Sequence, residues 1–283
     1  MSSTGRVSAV IVNYNTPELT HKCVESIARF GVANRADIIV VDNASPDGSG
    51  ARLSRELEGV KVICSNRNAG FSAGVNIGAA AARCEYLLVL NPDTYFVDQS
   101  ICLALEILDQ CSDVGLVGLD LVYPDGKRQF SARRFYSILD ILGRRLPIGR
   151  YWPLKRRIED HMMLTAWDSE TPFDADWVMG TGFVVRRDLF ERVGRMDEGY
   201  FLYMEDVELC ARMWGAGSRV VCVPNARLVH DHQRSSAAGP FSWAGRMHLK
   251  SLRLFSRKYR VPLLTPPDVS AVSRLQSTGQ PRP

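Results

Sequence analysis

No stretch of this 283-residue chain approaches the run of about 20 apolar residues that a membrane-spanning helix needs. The N-terminus passes from Met1 almost directly into a short strand, without the apolar core of a secretory signal. The seven cysteines are odd in number and scattered, and none forms a Cys-x-x-Cys pair. That pattern argues against a disulfide framework or a zinc knuckle and fits a reducing compartment. Net charge is only +4, too little to point to nucleic acid. A cytoplasmic protein is expected, soluble or peripheral at the inner face of the membrane.

What the chain has is material for a core: 46% hydrophobic and 23% charged residues, enough for one large domain or two small ones. Its charge is unevenly spread. Between Lys127 and Arg157 lie ten cations (Lys127, Arg128, Arg133, Arg134, Arg144, Arg145, Arg150, Lys155, Arg156 and Arg157) against one acid, Asp140. Such a segment should seek phosphate or an anionic surface.

Short β-branched runs alternate with helical patterns in the first half of the chain. Strands are expected at Val7–Val12, Ile38–Val41, Val60–Cys64 and Tyr86–Leu90. Helices are expected from Pro17, over Arg52–Leu57, over Ala73–Arg83 and over Ile101–Leu108. This alternation predicts an α/β domain with a largely parallel sheet flanked by helices. After a strand at Leu116–Val122, residues 127–175 look like an irregular insertion. Trp177–Arg187 follows as one strand, then an acidic helix, a strand pair Arg219–Val223 and Arg227–Val229, and a basic helix over Gly239–Tyr259. The Pro-, Ser- and Gln-rich tail from Val261 looks disordered.

The early strands end in polar residues: Asn13, Asp42, Asn66 with Asn68, and Asp93. Any one ending is ordinary turn chemistry. Four together favour a site, because ligands of open α/β sheets bind beyond the carboxyl ends of the strands. Asn91-Pro92-Asp93 offers a carboxylate for a divalent cation that bridges phosphates. His230 or His232 offers an imidazole, and oxygen with imidazole suits Mn²⁺ or Mg²⁺. The glycines from Gly70 to Gly78 fail the Gly-x-Gly-x-x-Gly spacing of a dinucleotide fingerprint. Gly74 and Gly78 suit close helix–strand packing instead, and a helix N-terminus near Gly70 favours a polar ligand. Glu205, Asp206 and Glu208 follow an aromatic run at a helix start, as either a general base or a complement to the helix dipole.

Taken in order, the strings Val-Ile-Val-Asn-Tyr-Asn, Val-Val-Asp-Asn-Ala-Ser, Asn-Ala-Gly-Phe-Ser-Ala-Gly-Val-Asn-Ile-Gly, Leu-Leu-Val-Leu-Asn-Pro-Asp-Thr, Gly-Thr-Gly-Phe-Val-Val-Arg-Arg and Phe-Leu-Tyr-Met-Glu-Asp-Val-Glu-Leu resemble the family 2 glycosyltransferases of GT-A fold. Among these the bacterial rhamnosyltransferase-like group is most similar. The resemblance spans residues 7–236.

It implies a Rossmann-like GT-A domain over 1–236, with a nucleotide-binding half (1–125) and an acceptor-binding half (126–236). A basic helical extension (237–260) and the tail (261–283) would follow. By position, Asn13, Tyr14, Asp42, Asn68 and Gly70 would hold the nucleotide base and ribose. Asp93 would bind the metal and the donor diphosphate, and His230 would be a metal or phosphate contact. Asp206 would be the catalytic base, paired with Glu205. Trp177, Gly180, Thr181 and Gly182 would line the donor-sugar and acceptor cleft.

The expected reaction is a metal-dependent, inverting transfer from a nucleotide-diphosphate sugar to a glycan or lipid-linked glycan, in cell-surface polysaccharide synthesis. Three departures stand out. Asn91 replaces the first aspartate of the family's Asp-x-Asp, Arg195 stands where a Gly-Gly-Phe-Asp is common, and Glu208 replaces an aspartate. The competing functions are a sugar nucleotidyltransferase, whose glycine-rich loop after the first strand is missing here, and an inactive sugar-nucleotide binding module, which would have lost the base.

Overall fold

The computed structural model describes residues 5–145, 154–231 and 242–272. Its centre is β1 (Val7–Asn13), every residue of which is buried. β-Branched side chains on both faces suit a strand covered on both sides. β2 (Ile38–Asp42) and β4 (Tyr86–Leu90) pair with β1 in parallel, placing Ile38 and Leu88 on either side of Ala9. β3 (Lys61–Cys64) extends the sheet beyond β2.

The other half of the sheet is mixed. β10 (Gly182–Arg186) runs antiparallel between β4 and β6 (Val114–Val122). β11 (Arg219–His230) lies parallel to β6, and β5 (Thr94–Tyr95) closes the far side. The chain therefore reverses direction across the sheet between β1 and β4, the kind of crevice where open α/β sheets take ligands.

The helices α1 (Pro17–Arg29), α2 (Ser49–Glu56), α3 (Phe71–Ala81) and α4 (Ile101–Gln110) cover the sheet, joined by α7 (Arg187–Arg192) and α8 (Glu205–Gly215). α1 starts at a proline and buries Thr20, Cys23, Val24 and Ile27. α3 lies close to β1 because it carries glycines there. A Cβ on Gly74 would stand 2.7 Å from Val12, and one on Gly78 would stand 2.4 Å from Val10.

Three sequence expectations need correction. Trp177–Arg187 is not one strand: β9 (Trp177–Val178) pairs with β7 (Ala132–Arg133), and the chain turns at Gly180 and Thr181 before β10. Residues 219–230 form one strand, with a bulge between Val223 and Arg227 where Asp120 accepts the Asn225 N–H at 3.0 Å. Residues 127–175 are not irregular throughout, since α5 (Ile138–Arg145), α6 (Leu154–His161), a 3₁₀ segment (Leu164–Ser169) and β8 (Phe173–Asp174) lie there. At the start of α5, Ser137 and Asp140 each accept the other's backbone N–H, at 3.2 and 2.9 Å, as a capping box.

Five of the ten cations of the basic segment face acids. Arg128 pairs with Asp120, Arg134 with Asp176, Arg157 with Asp140, Lys127 with Asp125 and Lys155 with Glu159. Arg133 is buried beside the site. The acids come from outside the basic window or from its helix cap, so local composition overstates the free charge.

α9 (Trp243–Lys258) packs onto α8 and the acidic loop. Ser251 donates to the Leu202 carbonyl at 2.8 Å, and the Tyr259 hydroxyl to Glu208 at 3.1 Å. No helix of the described residues is long and apolar enough to cross a membrane.

Candidate active site

The ends of β1, β2 and β4 meet the start of antiparallel β10 at one edge of the sheet. Asn13 is fully buried there and its side chain is committed. Its amide donates to Asp42 at 2.6 Å, and its carbonyl accepts from Thr16 and Thr20. Asp42 also accepts from the Ser45 hydroxyl and backbone N–H, at 2.6 and 3.0 Å. Asn43 donates to Asn68 at 3.0 Å and to the Gly70 carbonyl at 2.9 Å, locking the loop before α3. Tyr14 projects from this edge, 44% exposed.

Gly70 joins this edge to the acidic loop. It has φ +93°, and a Cβ there would stand 2.4 Å from the Phe201 carbonyl oxygen. α3 continues the attachment. Phe71 N–H donates to Phe201 at 2.9 Å, Ser72 donates to the Tyr200 carbonyl, and the Asn76 amide pairs with both backbone polar groups of Met196. Tyr203 and Met204 both adopt left-handed backbone conformations just before α8. Such non-glycine strain is commonly held at functional sites by the surrounding structure.

This loop borders a cavity of about 330 Å³. Asn91, Asp93 and His230 line it together with Glu205, Asp206, Trp177, Gly180 and Thr181. The Thr181 carbonyl accepts from the Asn91 N–H at 3.0 Å, which ties this turn to the end of β4. The Asp93 carboxylate lies 3.3 Å from His230 Nε2. His230 Nδ1 is 2.7 Å from Gln129 Oε1, and the Gln129 amide donates to the His230 carbonyl at 2.8 Å. A proton on Nδ1, shared with Gln129, leaves the Nε2 lone pair facing Asp93. The other Asp93 oxygen is buried without a hydrogen-bond partner among the described residues.

An oxygen and an imidazole nitrogen converging beside an unsatisfied carboxylate oxygen fit a divalent cation that completes its shell with phosphate and water. No cluster of three metal-ligating side chains occurs among the described residues. His232, the other candidate ligand, lies outside them.

Asp206 occupies the first turn of α8. Gly180 N–H donates to one of its oxygens at 2.9 Å, and Val207 N–H to the other at 2.8 Å. Burial raises its pKa above the ordinary carboxylate range, while those two N–H groups and the Arg133 charge oppose the rise. Glu205 is deeper and one of its oxygens has no partner among the described residues. Burial, then repulsion from Asp206, pushes its pKa up to about 8. Burial thus pushes both carboxyls up, and at Asp206 neighbouring N–H groups and a cation pull back towards the ionised form. A second cavity, about 380 Å³, continues past Asp206 and is lined by Arg133, Tyr136, Trp177, Tyr203 and His248.

The pattern of "Glycosyl transferase family 2" matches residues 8–194. The chain belongs to that family. As a family 2 glycosyltransferase it is 30% identical over 242 residues to the N-acetylglucosaminyl-diphospho-decaprenol L-rhamnosyltransferase of Mycobacterium tuberculosis, covering 80% of this chain and 78% of that one. It is 27% identical to the dTDP-rhamnosyl transferase RfbF of Shigella flexneri, over 79% of this chain and 68% of the relative. Among solved structures, GalNAc-T7 with UDP, GalNAc and Mn²⁺ superposes with a TM-score of 0.66 at 18% identity, covering 96% of this chain and 54% of that one. The mannosyltransferase PcManGT of Pyrobaculum calidifontis, with GDP-Man and Mn²⁺, gives 0.62 at 17% identity, over 95% and 69%. These likenesses establish the GT-A glycosyltransferase fold.

In this glycosyltransferase the expected site residues divide. Asp93, Trp177, Gly180, Thr181, Glu205, Asp206 and His230 share the first cavity. Asn13, Tyr14, Asp42, Asn68 and Gly70 build the neighbouring strand-end shelf and do not line it. Gly182 faces the core, where a Cβ would stand 2.3 Å from Leu228. Glu208 is structural, buried and paired with Arg212. Arg195 pairs with Glu191 and lines neither cavity bounded by Asp206. Gln129, Arg133, Tyr136, Tyr203 and His248 were not singled out for the site from sequence. Arg133 stood only within the basic run and Tyr203 only within the aromatic run before Glu205, while Gln129, Tyr136 and His248 carry no local motif.

Proposed function

We propose that this glycosyltransferase moves a sugar, rhamnose by the names of its relatives, from a nucleotide-diphosphate donor to a lipid-linked diphosphate glycan. The relative that acts on a diphospho-decaprenol acceptor supports that acceptor class. The product would serve cell-surface polysaccharide synthesis. The work would be done in the cytoplasm, at the inner face of the membrane. Residues 1–125 form the nucleotide half of the catalytic domain, 126–236 the acceptor half, and 237–260 an extension.

The observation that carries the proposal is that Asp206, fixed by the Gly180 N–H, lines the same cavity as the Asp93–His230 pair. The strand-end shelf of Asn13, Tyr14, Asp42, Asn68 and Gly70 takes the nucleoside. Asp93 and His230 are the residues that would hold Mn²⁺ or Mg²⁺, which when bound neutralises the departing diphosphate. Asp206 takes the proton from the acceptor hydroxyl as that oxygen attacks the anomeric carbon from the side opposite the leaving group. A single displacement of this kind inverts the anomeric configuration. Trp177 and Thr181 line the same cavity and orient the sugar.

Titration calorimetry with a nucleotide-diphosphate sugar, with and without Mn²⁺, tests the donor half. Asp93→Ala should abolish the metal-dependent part of the affinity, and His230→Ala should weaken it. Unchanged affinity in both variants would make the pair structural.

A further inference from the structure

The outward side of α9 gathers four cations on one helix face. Arg246, Lys250, Arg253 and Arg257 are all exposed, and none has an ion pair among the described residues. Trp243, 53% exposed, and Leu249, 40% exposed, lie among them. At 100° per residue these six positions fall within about 120° of the helix circumference. The opposite side carries Ser251, Phe255 and Tyr259, which are buried.

A stripe of Lys and Arg interleaved with an exposed Trp and Leu has the composition of a helix lying in a membrane interface. Tryptophan favours the headgroup level, and long cationic side chains keep their charge in water while their stems cover apolar surface. An acidic protein partner would match the charges but gives no reason for solvent-facing Trp243 and Leu249 among them.

We infer that this face of α9 docks the enzyme on an anionic lipid bilayer. In the segment 127–157, by contrast, Lys127, Arg128, Arg134, Lys155 and Arg157 already face acids. The inner side of the same helix reaches the chemistry. His248 and Leu252 line the cavity beside Asp206, and the His248 ring lies 5.3 Å from that of Tyr203. The membrane surface would then stand about one helix diameter, ~10 Å, from the acceptor side of the site. The inference takes its purpose from the lipid-linked acceptor proposed above, but its test does not depend on turnover.

The test is co-sedimentation of the full chain with phosphatidylglycerol-containing vesicles and with pure phosphatidylcholine vesicles. The wild-type protein should sediment with the anionic vesicles only, and less so in high salt, because the screening length is only about 8 Å at physiological ionic strength. Replacing Lys250 and Arg253 together by glutamine should lower partitioning about thirtyfold, and Trp243→Ala should lower it further. A control substitution of the paired Lys127 and Lys155 by glutamine should leave it unchanged. Thermal midpoints close to wild type verify folding of these exposed variants.

Equal binding to both vesicles, or an equal loss in the control, would overturn the inference. Transfer to a detergent-dispersed lipid acceptor without vesicle binding would refute the docking face alone. Vesicle binding without transfer would refute the acceptor assignment alone.

Discussion

Glu205 and Asp206 are adjacent buried carboxyls, and the upward shift of Glu205 is measurable. Glu205 keeps its proton to about pH 8 in the folded protein, whereas in the unfolded chain it ionises in the ordinary carboxylate range. The folded state therefore binds more protons between those values, and stability falls as pH rises from about 4.5 towards 8. Glu205→Gln removes that penalty. Its thermal midpoint should exceed wild type by more at pH 8 than at pH 5, and an identical difference at both would show that Glu205 is ionised throughout. Gln129 acts one step further out. Gln129→Leu frees the His230 ring and should lower Mn²⁺ affinity about 10–100-fold in calorimetry. No change would mean that the imidazole is oriented by something else.

Between elements, the decisive contact is α3 against the acidic loop. Gly70→Ala would put a methyl group into the Phe201 backbone at a left-handed position, at a cost of about 1–3 kcal/mol. Urea unfolding should show that loss, with reduced turnover because the loop carries Asp206. Wild-type stability would mean that the loop moves freely. The elements themselves were legible where periodicity was strong: β1, β2, β4, α1 and α3 lie close to their expected places. The break at Gly180 was not, because Trp177–Arg187 is apolar throughout and only the β7–β9 pairing separates it. α5 and α6 are eight residues each and amphipathic, too short for their period to stand out among the surrounding cations.

Over the whole molecule, the strand-end polar residues announced an edge site, and the ordered motifs resembled the family to which the chain belongs. Composition could not show that the cations of 127–157 meet Asp120, Asp125, Asp176 and Glu159, since most of those partners are remote in sequence or outside the basic run. Nor could it place His248 of α9 beside Asp206, which depends on how the C-terminal helix packs. The two halves of the chain meet at the cavity that Asp93 and Asp206 line, and the account stands on the chemistry assigned there. The most direct measurement is sugar transfer from a nucleotide-diphosphate rhamnose to a polyprenyl-diphosphate-linked N-acetylglucosamine, comparing wild type with Asp206→Asn at equal donor saturation. Loss of the general base should lower the rate about 10²–10⁴-fold while donor affinity, read by calorimetry, stays within a factor of about two. Near-normal transfer by folded Asp206→Asn would contradict the assignment of Asp206 as the base.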